Sequence, residues 1–154
     1  MNNLHRNLAP ISDAAWADIE EEAKRTFQRN IAGRRVVDVS GPHGSDFSAV
    51  ALGRLEDVAA PTDGVESRLY RVAPVVQLRV PFTLSRVEID SVERGSQDAD
   101  WEPLKEAAQR IAYAEDRAIL DGYSAAGIRG IRPSSSNTVV PVPQDAVDVP
   151  EAIS

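Results

Sequence analysis

Cysteine is absent from this 154-residue sequence, so it has no disulfide framework, no thiolate metal site and no cysteine nucleophile. Histidine is almost absent: His5 lies near the terminus and His43 in a Pro/Gly turn, neither with a second ligand at metal spacing. Long apolar runs are missing too, so no segment reads as membrane-spanning. The opening MNNLHRNLAP lacks the apolar core of a secretory signal. Positive charge is in deficit, with 17 Lys+Arg against 24 Asp+Glu and a net charge of −7. A field of that sign repels phosphate and argues against nucleic acid as a partner. What is present, 42% hydrophobic and 27% charged residues, suits one globular domain. Together these features predict a soluble cytoplasmic protein.

No catalytic constellation emerges. There is no GxSxG, so Ser134–Ser136 reads as a linker and not a nucleophile elbow. Gly41-Pro42-His43-Gly44-Ser45 lacks the GK[ST] ending of a phosphate-binding loop. Glu20-Glu21-Glu22 reads as a solvated helix face. Glu88, Asp90 and Glu93 are the nearest approach to a hard-cation site, but no second acidic segment completes the ligand set. Glu115-Asp116 lack the Glu-x-x-His partners of a di-iron bundle. Gly33-Arg34-Arg35 is the densest basic cluster, and adjacent arginines are more often solvated or ion-paired than phosphate-binding. The residues predict a protein that is not an enzyme.

Periodicity organises the chain. Trp16, Ile19, Ala23, Phe27 and Ile31 recur at helical spacing, predicting an amphipathic helix from about Ser12 to Ile31. Ser12 caps it, Ile11 and Trp16 staple its start, and Gly33 stops it. After the Ser40–Gly44 turn, Ser48 to Val72 reads as a long β-hairpin with Pro61-Thr62-Asp63-Gly64 at its tip. It lacks a good apolar face and fits either an arm resting on another chain or a flexible surface loop. Val76, Leu78, Val80, Phe82 and Leu84 alternate strictly with polar or small neighbours, predicting a strand that Pro81 confines to an edge. Val87 to Gly95 reads as a link. A second helix is predicted from about Asp100 to Asp121, with Pro103 in its first turn, a Glu106–Arg110 pair and Gly122 as its stop. Its expected buried face is Leu104, Ala107, Ala108, Ile111, Ala114 and Ala118. Val149-Pro150-Glu151-Ala152-Ile153-Ser154 resembles the opening turn of another helix, which reads as a longer polypeptide interrupted.

Four stretches carry a family resemblance: LAPISDAAWADIEEEA, AGRRVVDVSGPHG, LRVPFTLSRVEIDSVERGSQDADWEPLKEAA and AEDRAILDGYSAAGIRGI. In this order they closely resemble the encapsulin shell proteins of family 1, also known as the linocin-type bacteriocin family, and most closely actinobacterial, mycobacterium-like members. The resemblance implies an α+β chain with the tailed-phage major-capsid fold of Hong Kong type, incomplete here. Residues 1–45 would be the N-terminal arm and helix, 46–80 the extended loop, 81–126 the peripheral domain with its spine helix, and 127–154 the start of the axial domain.

The function so implied is structural. Many copies would close into an icosahedral nanocompartment around a cargo enzyme, a dye-decolourising peroxidase or a ferritin-like protein, recruited through a C-terminal targeting peptide. A complementary C-terminal fragment would complete the chain; neither nucleic acid nor membrane is an expected partner. Positions matching the family's cargo-peptide groove are Phe27, Ile31, Arg34, Val37 and Asp38. An equally available reading makes Phe27 and Ile31 plain core and Arg34–Asp38 an internal ion pair. Some relatives stack a flavin on a tryptophan in the stretch after PFTL; Val87 stands there in this chain, so no cofactor is expected. Competing functions are a secreted bacteriocin or protease, and an authentic phage capsid protein of the same fold. An engineered split protein, a proteolytic product and a partial gene each explain the stop at Ser154.

Overall fold

The computed structural model describes residues 6–139, and the predicted helical turn at 149–154 lies outside them. A mixed α+β arrangement is built on two long helices. Helix α1 spans Asp13–Asn30. Ser12 occupies its N-cap and its hydroxyl accepts the Ala15 N–H, so the local capping signal and the structure agree. Helix α3 spans Glu102–Leu120, with a proline in its first turn. Between them in sequence come strands β1 (Ala49–Val58) and β2 (Ser67–Pro74) and helix α2 (Arg86–Glu93). Two-residue strands β3 (Gly122–Tyr123) and β4 (Ile128–Arg129) and a single turn, α4 (Ile131–Ser134), follow.

The core lies where α1, α2 and α3 meet. Ile19, Trp101 and Leu104 are buried together, with Ala23, Leu84, Ile89, Val92 and Ala99 packed around them. Asp18 accepts the Trp101 indole N–H at 2.7 Å near the start of both long helices. Asn30 receives Gln109 Nε2 at 3.3 Å further along, and Asp116 receives Gly33 N at 2.6 Å beyond that. This order shows that α1 and α3 run in the same direction. Ala15 and Ala112 are fully buried, small residues that allow close helix packing. The expected inner face of α3 is rotated slightly: Ala112 is buried, whereas Ala114 faces solvent.

The predicted hairpin is present, β1 pairing antiparallel with β2. Its register shifts between Ala51 and Leu55, around Gly53 at φ 64°, a left-handed conformation that favours glycine at a bulge. Cross-strand ion pairs Arg68–Asp57 and Arg71–Glu56 lie at 3.1 and 3.2 Å. The hairpin has no buried face: Val50, Leu52, Leu55, Val58, Leu69, Tyr70 and Val72 are 41–74% exposed.

Two sequence expectations are corrected. Residues 76–84 form no strand, because alternation supplies a sheet face but not a neighbour, and β1–β2 and β3–β4 pair only with each other. Residues 86–93, expected as a link, form α2. Its β-branched Val87, Ile89 and Val92 have weak helix propensity and hide its period, while packing of Ile89 and Val92 on the core stabilises it. Helix α3 stops as expected: Gly122 has φ 89°, and a Cβ there would lie 2.8 Å from Gly130 N.

Candidate functional site

The chain leaves α1 through Ile31, whose N–H still bonds Phe27 O at 3.0 Å, and makes a single 3₁₀ turn at Gly33–Arg35. This corner is held by α3. The Asp116 carboxylate accepts Ala32 N at 3.0 and 3.1 Å and Gly33 N at 2.6 Å, satisfying donors that the end of α1 leaves free. Beside it, Arg34 meets Glu115 in a two-pronged pair, Nε to Oε1 at 2.5 Å and Nη2 to Oε2 at 2.9 Å. That hydrogen bond raises the Arg34 pKa above its ordinary value; partial burial opposes it and the Glu115 charge adds to it. Gly33 is buried, and a Cβ would come within 2.7 Å of Ile119 Cδ1, so the corner touches α3 through bare backbone.

Of the five residues expected to form a docking groove, the structure brings Phe27 and Arg34 together. The guanidinium lies 4.9 Å from the Phe27 ring centroid, a cation–π contact fixed from behind by Glu115. Phe27 is half-buried and Ile31 is buried, so Ile31 is mostly core. Val37 and Asp38 are exposed beyond the turn, on a stretch that also exposes Val36 and Val39. The Arg34–Asp38 ion pair considered from sequence does not form; Arg34 is taken by Glu115, 81 residues away. The corner thus presents an aromatic face under a fixed cation, with an apolar ledge and a carboxylate alongside.

Glu22 is the buried charge of α1. It accepts a hydrogen bond from Thr26 at 2.7 Å and pairs with Arg25. Burial pushes its pKa up, but hydrogen bonds from Thr26 and Arg25 and the charges of Arg25 and Lys105 outweigh this and hold it below the ordinary carboxylate value. Two of the other acidic candidates, Glu88 and Asp90, also have structural partners. Glu88 accepts Asp100 N at 3.0 Å and Asp90 lies 3.7 Å from Arg86. Among the described residues, no three His, Cys, Asp or Glu side chains converge as a metal site. His43 stacks on Phe47 at 4.1 Å. Val87 is 67% exposed on α2.

Sequence reading missed Glu115 and Asp116, weighed there only as metal ligands. Their role depends on α1 and α3 lying side by side, and no local spacing encodes a contact across more than 80 residues.

Comparison with known proteins bears on the chain as a whole. A linocin-type family described as "Encapsulating protein for peroxidase" matches residues 1–154. A type 1 encapsulin shell protein from Mycobacterium tuberculosis is 62% identical over 154 residues. Proteins of the same name from Rhodococcus erythropolis and Brevibacterium linens are 59% and 55% identical. In each case the match covers all of this chain and 58% of the relative's length. The chain spans well under two thirds of the curated relatives it matches, and it belongs to the linocin-type encapsulin shell-protein family.

Proposed function

We propose that this chain is the N-terminal portion of a shell subunit that assembles, in many copies, into an icosahedral encapsulin nanocompartment in the cytoplasm. The observation that carries this reading is the β1–β2 hairpin, which is well paired internally yet exposes apolar residues on both faces. Such an arm gains burial only by lying on another molecule, and a closed symmetric assembly provides that for every copy. The tailed-phage capsid fold of Hong Kong type fits the order arm helix, extended hairpin and spine helix. On that fold the units are 1–45, 46–80, 81–126 and 127–154, completed by a C-terminal fragment.

Cargo would be a dye-decolourising peroxidase or a ferritin-like protein, held through a targeting peptide. The family's description, which refers to a peroxidase, supports the first. The peptide would lie across Phe27, Arg34, Val37 and Asp38, with Ile31 forming the floor. In this reading the chain positions and encloses, and catalyses nothing itself. Flavin is not part of it, since Val87 offers no ring for stacking.

The test is native mass. Co-expressed with the C-terminal remainder of the Mycobacterium tuberculosis relative, the chain should give hollow particles of megadalton mass by light scattering and negative-stain imaging. A stable complex of small mass under those conditions would overturn the shell reading.

A further inference from the structure

We infer, resting on the docking role proposed for Phe27 and Arg34, that Glu115 of α3 positions Arg34 for the peptide and sets the charge preference of the corner, away from acidic peptides and towards neutral ones.

A guanidinium carries N–H donors on all three of its nitrogens. Glu115 takes Arg34 side-on, Nε to Oε1 at 2.5 Å and Nη2 to Oε2 at 2.9 Å. Both Nη1 hydrogens and the second one on Nη2 have no acceptor among the described residues. The guanidinium carbon lies over the Phe27 ring, 4.9 Å from its centroid. The arginine side chain is 46% exposed and the glutamate 26%, so the arginine is the more open member of the pair.

Two consecutive acids of α3 divide the work of holding Arg34. Asp116 accepts Ala32 N and Gly33 N and fixes the backbone of the turn that carries the arginine. Glu115 fixes the guanidinium at the far end of the same side chain. A long side chain held at both ends gives up little further freedom when a ligand arrives.

Charge decides what that ligand is. Glu115 already balances the Arg34 charge, Asp116 adds a second carboxylate at the turn, and the exposed Asp38 is a third. Only the exposed Arg35 stands on the other side within the same turn. An incoming carboxylate meets an arginine that is already paired, with further negative charge around it. A neutral carbonyl oxygen accepts one of the remaining N–H groups without that repulsion, and an extended peptide offers a carbonyl at every residue.

The test is peptide binding by fluorescence anisotropy, on the chain co-expressed with the C-terminal remainder of the Mycobacterium tuberculosis relative. The probe is a labelled peptide with the C-terminal sequence of a dye-decolourising peroxidase from that organism, together with copies in which each uncharged residue in turn is replaced by Asp. In the parent, Asp at the position that meets Arg34 should weaken binding. Glu115→Gln keeps a side-chain oxygen for Arg34 but removes the charge, and should relieve the penalty at that position by at least about fivefold, the relief fading with added salt. Glu115→Asp should keep the parental ranking. Arg34→Gln leaves Glu115 unpaired and should deepen the penalty, and combined with Glu115→Gln it should abolish the relief. Asp38 and Arg35 are present in every variant, so their effects cancel. Superimposable Asp profiles for parent and Glu115→Gln would overturn the inference, as would uniform weakening of every peptide, which marks a purely structural tie. Relief that survives Arg34→Gln would overturn it too. Parental protein that does not bind the unaltered peptide would remove docking from the corner and this inference with it. Tight parental binding with unchanged profiles would sink the inference alone.

Discussion

Asp116 carries more of the architecture than its composition suggests. One carboxylate gathers the N–H groups of Ala32 and Gly33, so the turn after α1 is fastened to α3 through its backbone. Asp116→Ala leaves the buried Gly33 donor without a partner and should cost about 1–3 kcal/mol. A fall of several degrees in the thermal melt followed by circular dichroism is the expected outcome, and an unchanged melt would mean that water replaces the carboxylate. Glu22 makes a second residue-scale prediction. Its folded pKa is depressed, so the folded state binds its proton less readily than the unfolded chain does. The stability it contributes is present above the ordinary glutamate value of about 4.3 and is lost as pH falls through the lowered folded value. Glu22→Gln removes this dependence: denaturant midpoints of the variant should approach those of the parent as pH drops below about 4, and lie below them at neutral pH.

At the scale of elements, the α1–α3 pair is the rigid unit. Parallel helices joined at their start by Asp18–Trp101, near the end of α1 by Asn30–Gln109 and at the corner by Asp116–Gly33 cannot slide without breaking all three contacts. Ala112 is fully buried on this unit. Ala112→Leu should overpack it and destabilise by about 1–3 kcal/mol, read as a lower denaturant midpoint with an unchanged slope. Helix α2 behaves differently, because none of its residues is fully buried and its stability derives from Ile89 and Val92 reaching the shared core. The hairpin is the third kind of element, holding its own backbone bonds while burying almost nothing.

For the whole molecule, the hairpin and the corner at Phe27 and Arg34 are two surfaces that the described residues leave at least partly uncovered. In the function proposed above, the first would lie on another subunit and the second would take a cargo peptide. The assignments separate experimentally. In particles assembled from completed chains, Phe27→Asp should leave particle mass intact and cut retention of a peptide-tagged peroxidase at least about tenfold, because a buried carboxylate against the peptide's aliphatic residues is unfavourable by more than one kcal/mol. Cargo retention equal to that of the parent would remove Phe27 from the docking surface. Loss of the particles themselves would show that the corner serves assembly.

The residues that were legible in isolation are those whose physics is local. Ser12 as a cap, the period of α1 from Trp16 to Ile31, Pro103 and Gly122 at the ends of α3, and the turn at Pro61–Gly64 each depend on a few neighbours along the chain. The family, too, was legible in the order of its motifs, since four stretches in sequence are far more specific than any one. Tertiary structure alone decided the rest. Residues 76–84 have the pattern of a strand but gain nothing from it without a neighbour to pair with. Residues 86–93 have a poor helical pattern and form α2 because the core beneath them accepts Ile89 and Val92. Arg34 chose Glu115 over the nearby Asp38 because the direction shared by α1 and α3 sets a planar fork opposite a carboxylate. Contacts between residues about 80 positions apart depend on how helices lie in space, and a linear sequence states that only after it has folded.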